Sequence, residues 1–270
     1  MTDPGESPSL AEHGAFPRDL PPPLPLGAAV PTALFLDFDG TLVEIADHPD
    51  DVIVSPHLPD LIARLADRLD GRLALITGRS LESLEEMLGR LDVAAAGSHG
   101  GEFRPAGSRK ILPLAEPLPK DVVDRLSAFA ADNGGLLVEP KPFSIAVHYR
   151  RHPEALPGLL ACADETGREF GLRTKHGKQV IELSMPGSDK GSAVARFMQM
   201  PPFLGARPVF IGDDVTDEDA FAAVARLGGD GILAGPMRET LAHARLGGVG
   251  AVHAWLETII HDHDQENSRT

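Results

Sequence analysis

Cysteine, aromatic residues and long apolar runs are scarce in this sequence, and each scarcity excludes a class of protein. The single cysteine, Cys162, has no partner for an intramolecular disulfide, which favours a reducing compartment. Aromatic residues make up only 5%, with one Trp and one Tyr, so we do not expect a stacking platform for single-stranded nucleic acid. No stretch approaches the roughly eighteen apolar residues of a membrane span. The start of the chain is acidic and proline-rich, unlike a secretory signal, so we expect a cytoplasmic protein.

Acidic residues outnumber basic residues in this sequence. The sequence has 25 Lys and Arg against 40 Asp and Glu, which gives a formal net charge of −15 at pH 7. Nonspecific binding to nucleic acids and to anionic membranes depends on basic patches, so we expect neither partner. A hydrophobic content of 42% over 270 residues is ordinary for a folded protein and allows one large domain or two of ordinary size. Composition does not bear on the oligomeric state, for which a monomer is the simplest expectation.

Short apolar runs alternate with amphipathic helical patterns over most of the chain. The runs Ala33–Leu36, Leu73–Ile76 and Pro208–Ile211 each stop at a polar or glycine residue, which is typical of buried strands. Further strands are expected at 93–96, 231–234 and 250–252. This alternation predicts an α/β fold, a doubly wound parallel sheet covered by helices on both faces.

The middle of the chain, residues 108–187, has a different pattern. Its strands alternate in character, two helical patterns lie near 120–132 and 154–170, and His176–Lys178 indicates a hairpin turn. We therefore expect an α+β module inserted into a discontinuous core of residues 31–107 and 188–262. Residues 1–30 are proline-rich and predict a disordered tail or an extended strap, and 263–270 predict a frayed tail.

The first acidic loop directly follows a predicted buried strand. Asp37 and Asp39 lie in the run Asp-Phe-Asp-Gly-Thr-Leu, so both can face one site where the strand ends. Two close carboxylates repel unless a cation or a proton relieves them, and Mg²⁺ is a hard cation that oxygen ligands bind. Gly40 allows the chain to turn sharply after them. An isolated Asp-x-Asp is more often a solvated turn, but the Gly-Thr that follows here favours a functional site.

A second acidic loop, Gly212–Asp219, follows the later apolar run and holds five acidic residues. Such a loop is repulsive without a cation, although acids also favour a helix start. We assign Asp213 and Asp214 to the metal site, with Asp217 as the alternative to Asp214 around it. We assign the helix start to Thr216, Glu218 and Asp219.

Two shorter segments could hold phosphoryl oxygens. Thr77 ends a predicted strand, where a hydroxyl and backbone N–H groups can bind an anion, and Gly78 and Arg79 follow it. Lys190 opens a predicted helix and could neutralise both a nucleophile and a phosphate. Taken alone, such residues are more often a helix cap and a surface lysine.

In this order the four segments resemble the haloacid dehalogenase (HAD) superfamily of phosphohydrolases, over about residues 32–255. Further segments are similar to the trehalose-6-phosphate phosphatase family within it. They are Gly97–Gly100, Glu139–Lys141, His148–Arg150 and Lys178–Leu183. The resemblance implies a HAD-like Rossmannoid core with an inserted α+β cap domain, Mg²⁺ as cofactor, and hydrolysis of trehalose 6-phosphate to trehalose and phosphate.

The resemblance also implies roles for individual residues. Asp37 would be the nucleophile that forms an aspartyl phosphate, and Asp39 the general acid and base, with its backbone carbonyl facing the metal. Thr77 and Lys190 would spread the charge of the transferring group. The substrate-binding residues implied are Gly78, Arg79, His99, Gly100, Lys141, His148, Arg150, Lys178 and Glu182.

Other interpretations stay open from the sequence alone. Lys178 and Glu182 can share a strand face and reach a sugar, or they can form a salt bridge on an exposed sheet. The substrate could be another sugar phosphate, of the sucrose phosphate or mannosyl-phosphoglycerate type, or the protein could be a phosphomutase. It could also be a non-catalytic sugar-phosphate sensor or a partner subunit of a synthase, although the presence of every expected catalytic acid favours an enzyme.

Overall fold

The computed structural model describes residues 19–26, 30–46, 51–177 and 179–267. An eight-stranded sheet forms its core, in the order β12-β11-β10-β1-β2-β3-β4-β5. These strands are β1 Thr32–Leu36, β2 Leu73–Ile76, β3 Ala94–Gly97, β4 Glu102–Arg104, β5 Leu112–Pro113, β10 Arg207–Gly212, β11 Asp230–Ala234 and β12 Ala244–Leu246. The helices around them are α1 Leu58–Arg68, α2 Leu81–Leu88, α5 Lys190–Phe197, α6 Glu218–Arg226 and α7 Val249–Asn267.

The strands from β12 to β3 are parallel, and β4 and β5 extend the sheet antiparallel. β1 is buried along its whole length, and its side chains alternate between two apolar layers. Leu34 and Leu36 pack with α1, α2 and α7, whereas Ala33 and Phe35 pack with α5 and α6. Helices therefore cover both faces, which confirms the predicted doubly wound α/β core.

The inserted module is a four-stranded antiparallel sheet in the order β6-β7-β9-β8, with two helices on one face. Its elements are α3 Lys120–Asp132, β6 Leu137–Pro140, β7 Ser144–His148, α4 Leu156–Phe170, β8 Arg173–Gly177 and β9 Val180–Ser184. Leu126, Leu159 and Ile181 belong to its own apolar core. The boundary differs from the predicted residue 108, because β5 pairs with β4 of the main sheet and the cap begins after it.

The two ends of the described chain also differ from expectation. Residues 19–26 are an extended strap rather than a disordered tail: the Arg245 N–H of β12 donates to the Pro21 carbonyl at 2.9 Å. The Arg245 guanidinium also pairs with Asp19, and Leu26 packs against the apolar layer under α7. Residues 1–18 lie outside the described residues.

The prediction of a strand at 250–252 is wrong, because α7 begins at Val249. The helix continues to Asn267, past residue 263, where a frayed tail was expected to start. The helical spacing of Val252, Leu256 and Ile260 buries one face of α7 and outweighs the short apolar run. Among the helices that the structure describes, none is long and apolar enough to cross a membrane.

Candidate active site

Asp37 and Lys190 form a buried ion pair at the carboxyl edge of the main sheet. Asp37 follows β1 directly, and its N–H donates to the Ile211 carbonyl of β10 at 2.9 Å. Lys190 begins α5, and its Nζ lies 2.7 Å from Asp37 Oδ1 and 2.6 Å from Asp217 Oδ1. The exposed fractions of the Lys190, Asp37 and Asp217 side chains are only 3%, 5% and 0%. One lysine therefore bridges carboxylates from the two acidic loops.

Asp213 joins these two acids in a group that could hold a metal ion. Asp37, Asp213 and Asp217 each offer a ligand atom, and these atoms lie within 4.8 Å of one another. Asp213 Oδ1 is buried and has no hydrogen-bond partner among the described residues. Three carboxylates facing one lysine leave excess negative charge, which a divalent cation with oxygen ligands would neutralise. The residues present therefore fit Mg²⁺.

The pKa values of these groups reflect their crowding. Burial, followed by the charge of Asp217, raises the pKa of Asp37 well above its usual range. Burial and the charges of Asp217 and Asp214 raise the pKa of Asp213 to about 6. Burial would lower the pKa of Lys190, but the charges of Asp37 and Asp217 outweigh it and raise that pKa. The lysine thus stays charged, and a divalent cation would offset the crowding of the acids.

Asp39 and Asp214 lie outside this group. Both oxygens of Asp39 accept hydrogen bonds from the Arg79 guanidinium, each at 2.8 Å. Asp214 is exposed, and its Oδ1 accepts the Val215 N–H at 2.7 Å. Its own N–H donates to Asp217 Oδ2 at 2.9 Å, which completes a capping box. The structure therefore brings Asp217, rather than the side chain of Asp39 or Asp214, to the candidate metal site.

Thr77 and His99 are joined through their backbones near the end of β2. Thr77 is fully buried, and its Oγ1 accepts the Arg79 N–H at 3.1 Å. His99 has a left-handed backbone, with φ of 56°, and its N–H donates to the Thr77 carbonyl at 3.0 Å. A Cβ at Gly78 would lie 2.6 Å from the His99 ring, and one at Gly100 would lie 2.5 Å from the Asp189 carbonyl. Glycine at these two positions therefore allows the His99 ring to pack against Gly78 and the Asp189 carbonyl to pack against Gly100.

His99 is an uncharged polar group at neutral pH. Burial, followed by the positive charges of Lys190, Lys141 and Lys175, lowers the pKa of His99 to about 4. The neutral imidazole can both donate and accept a hydrogen bond, as contacts with sugar hydroxyls require.

A cavity of about 260 Å³ opens between the core and the cap. The core contributes Gly78, His99 and Lys190 to its wall, and the cap contributes Lys141 and Glu182. Glu182 Oε1 accepts a hydrogen bond from Ser144 Oγ at 2.9 Å. Lys178, predicted beside Glu182, lies outside the described residues.

His148 and Arg150 do not line this cavity. They border a different cavity on the cap, beside Leu136–Val138 and the neighbouring Arg151 and His152. His148 Nε2 lies 3.3 Å from Glu139 Oε2, and Arg150 Nε donates to Gln179 Oε1 at 2.9 Å. The even spacing of His148 and Arg150 does not bring either of them to Lys190.

The sequence analysis did not single out Arg173 and Lys175, which line the cavity between core and cap. Arg173 pairs with Asp189, and Lys175 pairs with Asp219, so both connect the cap to the core. The signal was present, since both lie on the first strand of the predicted hairpin and share one face. The hairpin register places Lys175 opposite Glu182.

Comparisons with known proteins agree on one family. The sequence profile of the family described as trehalose-phosphatase matches residues 35–237. The trehalose-6-phosphate phosphatase of Escherichia coli (strain K12) is 40% identical over 229 residues, 84% of this chain and 86% of that protein. A structure of Aspergillus fumigatus trehalose-6-phosphate phosphatase superposes with a TM-score of 0.72 at 25% identity, covering 86% of this chain and 94% of that one.

A structure of a haloacid dehalogenase-like hydrolase from Bacteroides thetaiotaomicron is similar in fold. It has a TM-score of 0.58 at 17% identity and covers 84% of this chain and 98% of that one. Both likenesses cover most of this chain. With a HAD fold and a family match across most of its length, the chain belongs to the trehalose-phosphatase family.

Proposed function

We propose that this protein hydrolyses trehalose 6-phosphate to trehalose and inorganic phosphate, with Mg²⁺ as cofactor. The observation that carries the proposal is the buried group of Asp37, Asp213, Asp217 and Lys190, of which Lys190 also lines the cavity between core and cap. Asp37 and Asp213 would hold Mg²⁺ together with the Asp39 carbonyl, while Asp217 keeps Lys190 in place. Bound Mg²⁺ would neutralise charge on the phosphoryl oxygens during transfer.

The chemistry divides into two displacements at phosphorus. In the first, an oxygen of Asp37 attacks phosphorus, the bond from phosphorus to the sugar oxygen breaks, and Asp39 gives that oxygen a proton. In the second, water attacks the aspartyl phosphate, Asp39 takes the proton from water, and phosphate leaves Asp37. Lys190 orients Asp37 throughout, because its Nζ lies 2.7 Å from the Asp37 carboxylate.

Asp39 can do this work only after Arg79 releases it. Arg79 donates one hydrogen bond to each Asp39 oxygen, so the carboxyl group is turned toward the guanidinium instead of a sugar oxygen. The phosphate of the substrate carries two negative charges and can take the same guanidinium bidentately. Substrate binding would therefore move Arg79 from Asp39 to the phosphate and free the acid.

The cap would supply recognition of the sugar. Lys141 donates hydrogen bonds and Glu182 accepts them, and both line the cavity that ends at Lys190. The proposal also assigns the phosphate end to Thr77, Gly78 and Arg79. Positive groups around the cavity would offset the net charge of −15, which otherwise repels a sugar phosphate.

A panel of phosphorylated sugars tests the substrate. With Mg²⁺ present, we expect kcat/KM for trehalose 6-phosphate to exceed that for sucrose 6-phosphate and glucose 6-phosphate at least about tenfold. EDTA should abolish phosphate release, and Asp37→Asn should form no phosphoenzyme. Comparable turnover of all the sugars would contradict the specific substrate. Tight binding of trehalose 6-phosphate without phosphate release would favour a sensor.

Asp213 and Asp214 offer a matched pair for the metal assignment. Asp213→Asn removes a proposed ligand, so kcat should fall about 100-fold and the Mg²⁺ requirement should rise. Asp214→Asn keeps an N-cap residue at an exposed position, so kcat should stay within about threefold. Equal losses in the two variants would contradict the assignment.

A further inference from the structure

Arg238 holds the backbone of the second acidic loop from behind. It lies in the turn that follows β11, beyond the residues that the family profile matches. Its Nε donates to the Asp213 carbonyl at 3.0 Å, and its Nη2 donates to the Asp214 carbonyl at 2.6 Å. One guanidinium therefore holds two consecutive peptide groups, including that of a proposed metal ligand.

The same side chain is itself fixed on its other edge. Its Nη1 donates to the Glu218 carboxylate and, at 2.9 Å, to the Glu239 carbonyl. The second oxygen of Glu218 accepts the Leu241 N–H at 2.8 Å. The side chains of Arg238 and Glu218 are both 23% exposed. The turn after β11 and the acidic loop are thus tied into one unit through a guanidinium with little freedom to move.

The Asp213 side chain depends in part on this backbone for its direction. Its Oδ1 is buried and accepts no hydrogen bond from the described residues. The direction of its carboxylate therefore depends in part on the peptide groups on either side. The loop also concentrates acidic side chains, which repel one another, and Arg238 places a positive charge beside their carbonyls.

We propose that Arg238 is a positioning residue for the metal site, which holds the Asp213 carboxylate in the direction of Asp37, so that the two can bind one Mg²⁺. This inference rests on the proposed function, because it assumes that Asp213 binds Mg²⁺. Arg238 itself contacts neither the substrate nor the metal. Its loss should weaken Mg²⁺ binding while the sugar contacts in the cap stay intact.

The test measures Mg²⁺ binding directly, by calorimetric titration of the metal-free protein and by the Mg²⁺-dependent rise in Tm. For Arg238→Gln we expect the Kd for Mg²⁺ to rise about 10- to 100-fold. At saturating Mg²⁺, its KM for trehalose 6-phosphate should stay within about threefold of the parent value. Arg238→Lys keeps the positive charge and a donor group, so its Kd for Mg²⁺ should lie between those of the parent protein and Arg238→Gln.

Arg245→Gln is the matched control. Arg245 likewise pairs with a carboxylate and donates to a backbone carbonyl, that of Gly235 at 2.8 Å, but it holds the strap instead of the acidic loop. Its Kd for Mg²⁺ should not change. A parent-like Kd in a folded Arg238→Gln protein would overturn the proposal, and so would equal losses in Arg238→Gln and Arg245→Gln.

Two further features of the experiment allow it to refute the proposal whatever happens to Arg238→Gln. If Arg238→Gln does not fold, Arg238→Lys and Glu218→Gln carry the test, since each weakens the same unit, and a parent-like Kd in both overturns the proposal. The Mg²⁺ titration needs no substrate. If Mg²⁺ binding depends on Arg238 but the protein releases no phosphate, the proposed function is refuted and this inference stands.

Discussion

Gly40 shows how a single residue makes room for the site. Its φ of +75° suits glycine, and a Cβ there would lie 2.2 Å from Asp213 Oδ2. The sequence predicts a sharp turn at this position, because the glycine follows two aspartates and an apolar run. It does not predict that Asp213, from a loop far along the chain, packs into the space left by the missing side chain.

Gly40→Ala should therefore damage the site more than the fold. We expect kcat/KM to fall at least about 100-fold, because the methyl group would displace the Asp213 carboxylate. Gly228→Ala is the matched control, since Gly228 has the same φ of +75° with nothing within 4 Å. Both variants should lose about 1–2 kcal/mol in the free energy of unfolding from backbone strain. Urea unfolding and steady-state kinetics measure the two effects, and similar activity in both would contradict the steric argument.

Some residues of the site could be predicted from the sequence alone. The sequence predicts Asp37, Lys190 and Asp213, because each stands at the end of a strand or the start of a helix in a recognisable run. Asp214 was predicted as a ligand on the same grounds, whereas Asp39 was expected to offer its backbone carbonyl. The Asp214 side chain instead accepts the Val215 N–H and the Asp39 side chain accepts from Arg79, and contacts of that kind depend on how the loops pack.

Helix α5 links local structure to the reaction, because its first residue is Lys190. Asp189 is its N-cap, and Asp189 Oδ1 accepts the Ser192 N–H at 2.7 Å. The other oxygen accepts the Ser192 hydroxyl at 2.8 Å and also pairs with Arg173 of the cap. The start of the helix, the position of the lysine and one contact with the cap therefore depend on a single carboxylate.

Asp189→Ala should loosen this helix start. We expect a loss of about 1–2 kcal/mol in the free energy of unfolding, together with a lower kcat, because Lys190 would no longer be held against Asp37. Asp189→Asn keeps a good N-cap and removes only the charge, so its stability should stay within about 0.5 kcal/mol of the parent protein. Denaturant unfolding and kcat measure the difference, and a stable, fully active Asp189→Ala would refute it.

At the scale of elements, the sequence predicts best where a pattern is long or wholly apolar. β1, β2, β10 and both cap helices have such patterns, and the cap hairpin has a recognisable turn. β5 has only Leu112 and Pro113, too few residues for any period, so its place in the main sheet was not predictable. The apolar triplet at 250–252 matched a strand locally, but the burial of one face over the whole of α7 makes it helical.

Two ion pairs join the cap to the core across the mouth of the cavity. They connect Arg173 with Asp189 and Lys175 with Asp219. The Arg173 and Lys175 side chains are about half exposed, so each pair contributes at most about 1 kcal/mol. These two ion pairs are thus weak enough to break in each catalytic cycle.

Removing one of these pairs should shift the balance toward an open cap. We expect Asp219→Asn to raise KM for trehalose 6-phosphate about two- to fivefold, with kcat within about twofold, and to increase the radius of gyration in X-ray scattering. The swap Lys175→Asp with Asp219→Lys should restore both values. Lys120→Ala removes an ion pair inside the cap, with Asp124, and should change neither. A swap that fails to restore KM would contradict the role of the pair.

The distribution of charge over the folded molecule could be predicted from the sequence only in part. A net charge of −15 makes positive groups necessary at a pocket for a sugar phosphate, and Lys190 is one of them. Lys141, Arg173 and Lys175 also line the cavity, but they reach it only through the pairing of the cap strands, which no short run encodes. The monomeric state and the cytoplasmic location stay predictions.

The strap at residues 19–26 has a consequence for colloidal behaviour. β12 is an outer strand, and unpaired outer strands recruit other chains. The strap occupies part of that border, and Pro21, Pro22 and Pro23 have no N–H to offer a newcomer. A protein shortened to start at Val30 should therefore scatter more light with rising concentration than one starting at Asp19. The three prolines would then protect the edge of the sheet against strand addition by neighbouring molecules.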